Sequence, residues 1–390
     1  MAAGRDGRAG RHRGAQPQEG RHPVRRDRPE RRVLRGPRRA RFAFADERDL
    51  RAGEQGPRGR VHRAGQGGRA RRAQGPPLGR RLPRVHLQRH AAGRLRSARA
   101  VHARLPAEAR LRHALRALIA GCGYVGTALG NRLAAQGHEV TGTRRTIPNS
   151  ESPIHWAAAD VLRPDSFSAL PGGFDWAVYA VSAAAHTDDA YRAAYVDGLR
   201  NTLDFLRATS PELRRVVFVS STGVYHQNSG ETVDEDSPAE PARFSGTRLL
   251  EGEAVLRESG LPGVVVRFSG IYGPGRDRTV RSVREGTARL SPQPAVLNHI
   301  HRDDCAGVLA HVLQLDDPAP RYLGTDCEPV LKNDALRWIA EQLGLPEPPE
   351  AEATDAPVRG GYRYYSNRRL CESGYAFAYP TYREGYAGLL

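Results

Sequence analysis

The chain has 390 residues, and 60 basic against 43 acidic side chains give it a formal net charge of +17. No stretch of about 18 consecutive apolar residues occurs, so the sequence predicts no membrane-spanning helix. The positive charge lies in residues 1–116, which hold 33 arginines and 9 acidic residues, whereas the rest holds 27 basic and 34 acidic residues. The excess of basic side chains therefore indicates nothing about the partners of residues 117–390.

Residues 1–116 are rich in Arg, Gly, Ala and Pro and lack a sustained apolar periodicity, so we do not expect them to bury a core. Three interpretations stay open: out-of-frame translation of GC-rich DNA, a disordered tail, and an arginine-rich arm for nucleic acid. We favour the first, because the segment contains no lysine and few aromatic side chains to stack on bases. A natural start near Leu115 or Arg116 is then expected, and nucleic acid is not an expected partner.

The four cysteines are scattered along the chain and form no C-x-x-C pair; they are Cys122, Cys305, Cys327 and Cys371. Such spacing argues against a zinc site and against a disulfide framework. It is typical of a protein in a reducing compartment. We therefore expect a cytoplasmic location and no bound metal.

The first element of residues 117–390 is a short apolar strand, residues 117–120, followed by three glycines in G-x-G-x-x-G spacing and by a helix over residues 127–136. Strand, glycine turn and helix in this order predict a dinucleotide-binding turn. The first glycine permits the tight turn, the second lets the backbone approach a pyrophosphate, and the third lets helix and strand pack closely. The helix N-terminus adds free N–H groups for the phosphates. The predicted cofactor-binding residues of this turn are Gly121, Cys122, Gly123, Tyr124, Val125 and Gly126.

The second strand is predicted over residues 138–143. Folds of this kind that prefer NAD place an acidic residue at the end of this strand, where it binds the ribose 2′-hydroxyl. Here Thr143, Arg144 and Arg145 stand at that place. Arginine would pair with a 2′-phosphate, so we favour NADP as the cofactor, with NAD and two solvated surface arginines as the alternative.

The third and fourth strands are predicted over residues 154–159 and 174–181. Asp160 follows the third strand, and its carboxylate is expected either to cap the next helix or to contact the adenine amino group. Ala180 lies at the end of the fourth strand. Because ligands of parallel sheets bind beyond the carboxyl ends of the strands, we count Asp160 and Ala180 among the cofactor-binding candidates.

The remaining elements continue the alternation of strands and helices. They are a helix over residues 189–209, a strand over 215–220, a helix over 249–258 and a strand over 263–268. This order predicts an α/β fold of the Rossmann type, a doubly wound parallel sheet with a small C-terminal substrate lobe, formed by residues 117–390. His301, Asp303 and Asp304 have poor spacing for a metal, and one of the two aspartates is expected to be a helix N-cap.

Six segments occur together in an order that resembles the NAD-dependent epimerase/dehydratase family of short-chain dehydrogenases, and more narrowly its atypical sugar-nucleotide-epimerase-like branch. The segments are residues 118–126, 220–225, 267–276, 300–306, 366–370 and 379–385. The resemblance covers about residues 116–390. It implies hydride transfer at a carbinol carbon, with a Tyr of a Y-x-x-x-K pair as the base. It also implies a Ser or Thr at the substrate hydroxyl.

Three residues are catalytic candidates on this resemblance. Ser221 matches the Ser/Thr position, Thr222 offers a second hydroxyl, and Tyr225 is expected either to line the substrate site or to lie in the core. The Tyr–Lys pair itself is missing, because the one lysine, Lys332, has Glu328 four places before it. A phenol needs a nearby positive charge to bring its pKa of about 10 toward neutral pH. Catalysis by the usual route is therefore not expected.

Two alignments of the missing pair are open, one placing it at Phe244 and Arg248 and the other at Ser245 and Leu249. The base would then be a water, a histidine such as His226, or the substrate. We expect an NADP-binding oxidoreductase or epimerase that acts on a hydroxylated small molecule, with a nucleotide sugar as one candidate. The alternative is a non-catalytic module that binds NADP(H) and reports redox state. A monomer and a homodimer are both compatible with the sequence.

Overall fold

The computed structural model of the protein describes residues 114–149, 151–352 and 361–390. Residues 1–113 lie outside this part of the chain, so the interpretations of the arginine-rich segment stay predictions. Among the described residues, no helix is both long enough and apolar enough to cross a membrane. The cytoplasmic location expected from the cysteines also stays a prediction.

Thirteen strands occur in the described residues. In chain order they are β1 Arg116–Ala120, β2 Glu139–Arg144, β3 His155–Ala158, β4 Trp176–Tyr179, β5 Arg215–Ser221, β6 Thr232–Val233, β7 Gly263–Phe268, β8 Gly270–Tyr272, β9 Val296–Leu297, β10 His299–His301, β11 Arg321–Gly324, β12 Val330–Leu331 and β13 Tyr364–Tyr365. Seven of them form one sheet in the order β11-β7-β5-β4-β1-β2-β3. Every pair in this sheet is parallel, which confirms the predicted doubly wound fold.

Nine α-helices connect and cover these strands within the described residues. They are α1 Tyr124–Ala135, α2 Asp188–Arg192, α3 Gly198–Thr209, α4 Phe244–Glu258, α5 Arg278–Arg284, α6 Arg302–Gln314, α7 Lys332–Gln342, α8 Arg368–Glu372 and α9 Tyr382–Ala387. Helices α1 and α6 pack on one face of the sheet, and α3 and α4 pack on the other. Because both faces are covered, most side chains of the central strands are apolar and buried.

The smaller lobe has its own apolar cluster, which lies beside α5, α7 and α9. Its largest buried side chains include Tyr272, Leu336, Ile339, Tyr382 and Tyr386. Three two-stranded pairings accompany it: β8 with β10, β9 with β12, and β6 with β13. The lobe therefore stands at the carboxyl ends of β7 and β11, where the sequence predicts the substrate region.

The predicted elements agree with the structure to within a few residues, with two informative differences. The helix predicted over residues 249–258 begins at Phe244, because Gly246 allows the helix N-terminus to pack on the carbonyl oxygen of Gly223, only 2.6 Å from the position of an added Cβ. The helix predicted over residues 189–209 consists of α2 and α3 with a π-helical turn, Ala193–Asp197, between them. Apolar periodicity detects neither a glycine contact nor a π turn.

Candidate active site

The glycine turn after β1 needs glycine at its first and third positions. Gly121 has a φ of +76°, and a Cβ added there would lie 2.6 Å from backbone atoms of Val181. At Gly126 the added Cβ would lie 3.0 Å from a methyl carbon of Ile119. Gly121 therefore permits the turn beside β4, and Gly126 permits close contact between α1 and β1, as the spacing predicts.

The second glycine of the turn faces open space. A Cβ added at Gly123 would meet nothing closer than the carbonyl oxygen of Gly121, at 3.7 Å. Gly123 directly precedes α1, whose first N–H groups have no intrahelical acceptors. The space beside Gly123 and the free N–H groups of α1 together fit a pyrophosphate. The residues present therefore suit a dinucleotide, although no metal or other cation is needed for this contact.

Two of the six predicted residues contribute to the turn only through the backbone. The Cys122 side chain is fully buried, and its amide donates to the carbonyl oxygen of Thr143 at 2.9 Å. Burial raises the pKa of the Cys122 thiol to about 11, so the thiol is not a reactive group at neutral pH. Val125 is likewise buried in the core beneath α1.

Tyr124 joins the glycine turn to the loop after β8. Its hydroxyl donates to the carbonyl oxygen of Pro274 at 2.9 Å. The guanidinium carbons of Arg276 and Arg302 lie 4.4 Å and 5.3 Å from the centre of its ring. Two arginines therefore lie next to the first residue of α1, where they add positive charge. This contact is not predictable from the sequence, because Arg276 is 152 positions from Tyr124 along the chain.

The residues predicted at the ends of β2, β3 and β4 all lie at the same edge of the sheet. Arg144 is the last residue of β2, and Arg144 and Arg145 are both exposed. One oxygen of the Asp160 carboxylate accepts from the amide of Leu162 at 3.0 Å, so this side chain stabilises the turn after β3. The amide of Ala180 donates to the carbonyl oxygen of Ala120 at 2.8 Å and extends the pairing of β4 with β1.

Ser221 ends β5, the strand next to β4, and is partly exposed. Its Oγ accepts from the amide of Gly223 at 3.1 Å, which leaves the hydroxyl proton available to another acceptor. Thr222 is 7% exposed, and its carbonyl oxygen accepts from the Tyr365 hydroxyl at 3.1 Å. Of the two hydroxyl side chains, Ser221 is the more accessible.

Of the two positions expected for Tyr225, the substrate site and the core, the structure has it in the core. It is 2% exposed, and its hydroxyl donates to the carbonyl oxygen of Asp234 at 2.9 Å. The same hydroxyl accepts from Arg267 at 2.7 Å. Burial raises the pKa of Tyr225, an effect that the charge of Arg267 opposes. Both hydrogen-bonding roles of this phenol are taken within the protein, so in this structure it does not face a substrate.

The place of the missing Tyr–Lys pair is the beginning of α4. Arg248 donates to both carboxylate oxygens of Asp188, each at 2.8 Å, and also to Glu251. Leu249 is 5% exposed and belongs to the core. With the alignment at Phe244 and Arg248, the charged member of the pair lies at the surface of α4. With the alignment at Ser245 and Leu249, the lysine of the pair would lie in the core.

The prediction that Asp303 or Asp304 caps α6 is wrong. The N-cap is His301, whose Nδ1 accepts from the amide of Asp303 at 3.2 Å. Asp304 is fully buried and accepts from the Tyr375 hydroxyl and from the amides of Ala378 and Tyr379 at 2.8–2.9 Å. Its carboxylate therefore holds the C-terminal segment against α6. In the ranges that the structure describes, no three His, Cys, Asp or Glu side chains are grouped as metal ligands.

A seven-stranded parallel sheet with a glycine turn after its first strand and a serine at the end of β5 is the arrangement of a short-chain dehydrogenase. The model of the NAD-dependent epimerase/dehydratase family matches residues 117–320. The chain therefore belongs to this family, as its motifs predict. A solved structure of an epimerase/dehydratase-type protein from Methylobacillus flagellatus is 39% identical, with a TM-score of 0.59 and coverage of 70% of this chain and 97% of that one.

Two curated proteins are also similar over most of the described region. Protein YeeZ of Escherichia coli is 27% identical over 278 residues, which cover 67% of this chain and 95% of that protein. The dTDP-6-deoxy-L-talose 4-dehydrogenase (NAD(P)(+)) of Kitasatospora kifunensis is 30% identical over 271 residues, which cover 63% of this chain and 83% of that protein. The family consists mostly of oxidoreductases and epimerases, so the general class of the chain is an NAD(P)-dependent enzyme fold.

Proposed function

We propose that the protein is an oxidoreductase or epimerase that uses NADP(H) to oxidise or reduce a carbinol carbon of a small hydroxylated molecule, with a nucleotide sugar as the preferred class. The observation that carries this proposal is the pairing of two features at one edge of the sheet. Gly123 leaves open space at the N-terminus of α1, and Ser221 ends β5 with a hydroxyl proton available. The Kitasatospora relative, a dehydrogenase of a dTDP-sugar by its name, supports the substrate class.

The cofactor, when bound, supplies the acceptor and donor of a hydride. The backbone of residues 121–126 binds its pyrophosphate, and Arg144 and Arg145 bind the 2′-phosphate of NADP. Ser221 donates a hydrogen bond to the substrate oxygen, which gains negative charge as its proton is removed in the oxidation and as hydride arrives in the reduction. Thr222 assists from the next position. Tyr225 acts as a positioning residue, because its hydroxyl fixes the segment that follows Ser221 to Arg267.

The second candidate function is an NADP(H) sensor without turnover. Phe244 and Arg248 favour it, because Phe244 has no ionisable proton and Arg248 is held by two carboxylates. Such a module would bind the cofactor as tightly as the enzyme would. It would transfer no hydride to any hydroxylated substrate.

A substrate screen separates the two candidates. UDP-hexoses, dTDP-hexoses and simple secondary alcohols are supplied with NADP⁺; reduced cofactor is followed by absorbance, and epimerised sugar nucleotide, which leaves no reduced cofactor, is followed by chromatography. We expect slow turnover of at least one sugar nucleotide by the parent and at least a tenfold loss of kcat in Ser221→Ala. Ser168→Ala, which removes an exposed hydroxyl far from the sheet edge, is the matched control. Tight NADPH binding without turnover of any compound would favour the sensor.

A further inference from the structure

An imidazole and a phenol are in contact beside the place of the missing tyrosine. Nδ1 of His186 and the hydroxyl oxygen of Tyr191 are 3.3 Å apart. The centres of the two rings lie 5.1 Å and 5.5 Å from the centre of the Phe244 ring. The three side chains therefore form one cluster, in which Phe244 supplies an apolar wall and His186 and Tyr191 supply the polar groups.

The cluster is held by the packing of α2 on α4. Thr187 caps α2, accepting from the amide of Ala190 at 3.3 Å. In the next position, Asp188 forms its two-pronged ion pair with Arg248 of α4. In the alignment at Phe244 and Arg248, Arg248 occupies the position of the family's lysine. Its ion pair with Asp188 holds α2 against α4. The result is a fixed position for His186 and Tyr191 relative to Phe244.

The cluster belongs to the edge of the sheet where the candidate site lies. His186 is part of the loop after β4, and the same loop begins with Val181 against Gly121. On the other side, α4 begins beside the turn that follows Ser221, since Gly246 packs on the carbonyl oxygen of Gly223. His186 is exposed and Tyr191 is half-buried. The imidazole is therefore accessible to solvent in the loop that begins beside the glycine turn, and it contacts Phe244 at the beginning of α4.

We propose that His186 is the general acid–base group of the proposed reaction and that Tyr191 is the positioning residue that orients it. This inference rests on the proposed function. This role requires the tautomer in which Nδ1–H of His186 donates to the Tyr191 oxygen and Nε2 is unprotonated and able to accept a proton. In the oxidation, the O–H proton of the substrate goes to Nε2 and the C–H hydride goes to oxidised nicotinamide. The substrate becomes a carbonyl, and the reduction reverses each transfer.

The charged and titratable neighbours of the pair on the two packed elements are few. They are Asp188, Asp189, Arg192 and Tyr195 on or after α2, and Arg243, Arg248 and Glu251 at the beginning of α4. Arg248 forms direct ion pairs with both Asp188 and Glu251, so this group of three carries one net negative charge. Arg192 pairs with Asp197 at 3.9 Å. None of these ion pairs involves the imidazole of His186.

The first test requires no turnover. The parent is treated with diethyl pyrocarbonate with and without saturating NADPH, and acylation of each histidine is followed by mass spectrometry. We expect NADPH to slow acylation of His186 at least fivefold and to leave His155 unchanged, because His155 lies at the beginning of β3. Equal acylation of His186 with and without bound NADPH would overturn the inference. Failure of NADPH to bind at all would instead contradict the proposed function.

The second test uses the substrate found in the screen. General-base catalysis contributes about 10²–10⁴-fold, so His186→Gln should lower kcat by roughly that factor and leave NADPH affinity unchanged. His155→Gln is the matched control, because His155 is an exposed histidine at the beginning of β3. His226→Gln tests the rival base that the sequence suggests. Added imidazole should restore part of the activity of His186→Ala, and Tyr191→Phe should shift the pH profile of kcat. Full activity of His186→Gln, or loss only in His226→Gln, would overturn the inference while leaving the proposed function intact.

Discussion

Arg267 and Glu253 form a two-pronged ion pair inside the protein, with Nε to Oε1 at 2.8 Å and the terminal nitrogen to Oε2 at 2.6 Å. The two side chains are only 2% and 6% exposed. Glu253 also accepts from the Ser220 hydroxyl at 2.7 Å, and Arg267 also donates to Tyr225. This network fixes both ends of the segment that contains Ser221 and Thr222. It is the physical reason why we propose Tyr225 as a positioning residue.

Removing one partner of this pair should strongly destabilise the protein. Arg267→Met removes the two-pronged partner of the buried Glu253 carboxylate and leaves only Arg321, whose Nε lies 4.0 Å from Oε2. Breaking a buried ion pair in this way costs about 3–5 kcal/mol. The free energy of unfolding in urea measures the loss. Arg257→Met, at an arginine whose side chain is 70% exposed, is the control and should change stability by less than about 1 kcal/mol. Equal stabilities of the two variants would contradict the structural role of the pair.

Asp326 should make the protein less stable as the pH rises toward 8. It is 2% exposed, its Oδ2 has no hydrogen-bond partner among the described residues, and burial raises its pKa to about 8. Between its ordinary pKa of 3.8 and about 8, the folded state keeps a proton that the unfolded state releases. Stability therefore falls with rising pH in this window, by at most about 1.4 kcal/mol per pH unit.

The amide of Asp326→Asn cannot ionise, so this variant should lose that part of the pH dependence. Its melting temperature should exceed that of the parent at pH 8 and approach it near pH 5. Asp317→Asn, at an exposed position after α6, is the control and should follow the parent throughout. If the melting temperatures of the parent and of Asp326→Asn change equally with pH between pH 5 and pH 8, Asp326 does not hold the proton.

The preference for NADP should depend on the two arginines after β2. A charge-assisted contact to a phosphate is worth about 1.5–3 kcal/mol. Replacing Arg144 and Arg145 by alanine should therefore weaken NADP binding at least tenfold and leave NAD binding nearly unchanged. The double variant of Arg257 and Arg337, on α4 and α7, removes the same charge elsewhere and serves as control. Equal losses for both cofactors would refute this assignment.

Residues 1–113 should be dispensable for the fold and for the cofactor. A chain beginning at Ala114 keeps Leu115, whose carbonyl oxygen accepts from the amide of Glu139 at 2.9 Å. We expect this shorter chain to match the full chain in melting temperature and NADPH affinity. It should also lose any salt-sensitive binding to DNA, because the positive charge lies in the removed part. A shorter chain that fails to fold would show that the segment packs on the domain.

The fold was predictable from the sequence because its signals are local. Each central strand is a short apolar run buried on both faces, and the glycine turn is a contiguous motif with a fixed order of elements. The strand Gly263–Phe268 was predicted with the bounds that the structure has. Ser221 was also predictable in position, since a residue at the end of a parallel strand must lie at the ligand edge of the sheet.

The contacts that decide side-chain roles were not predictable, because they join residues far apart in the chain. The sequence alone leaves Tyr225 open between the substrate site and the core. The structure decides for the core, because Arg267, 42 positions later, donates a hydrogen bond to the Tyr225 hydroxyl. The sequence predicts a cap at Asp303 or Asp304 because the partners of Asp304 in residues 375–379 give no local signal. The sequence predicts no role for His186, since only the fold brings it to Phe244.

The central claim is that the glycine turn after β1 binds a dinucleotide, and a titration of NADPH into Gly123→Val tests it most directly. The Cβ of the valine would lie in the open space beside α1, with the carbonyl oxygen of Gly121 at 3.7 Å as its nearest contact, so we expect the variant to fold and to lose at least a hundredfold in NADPH affinity. Gly388→Val, at an exposed glycine with no atom within 4 Å of the added Cβ, should bind as the parent does. A folded Gly123→Val variant with the NADPH affinity of the parent would contradict the claim.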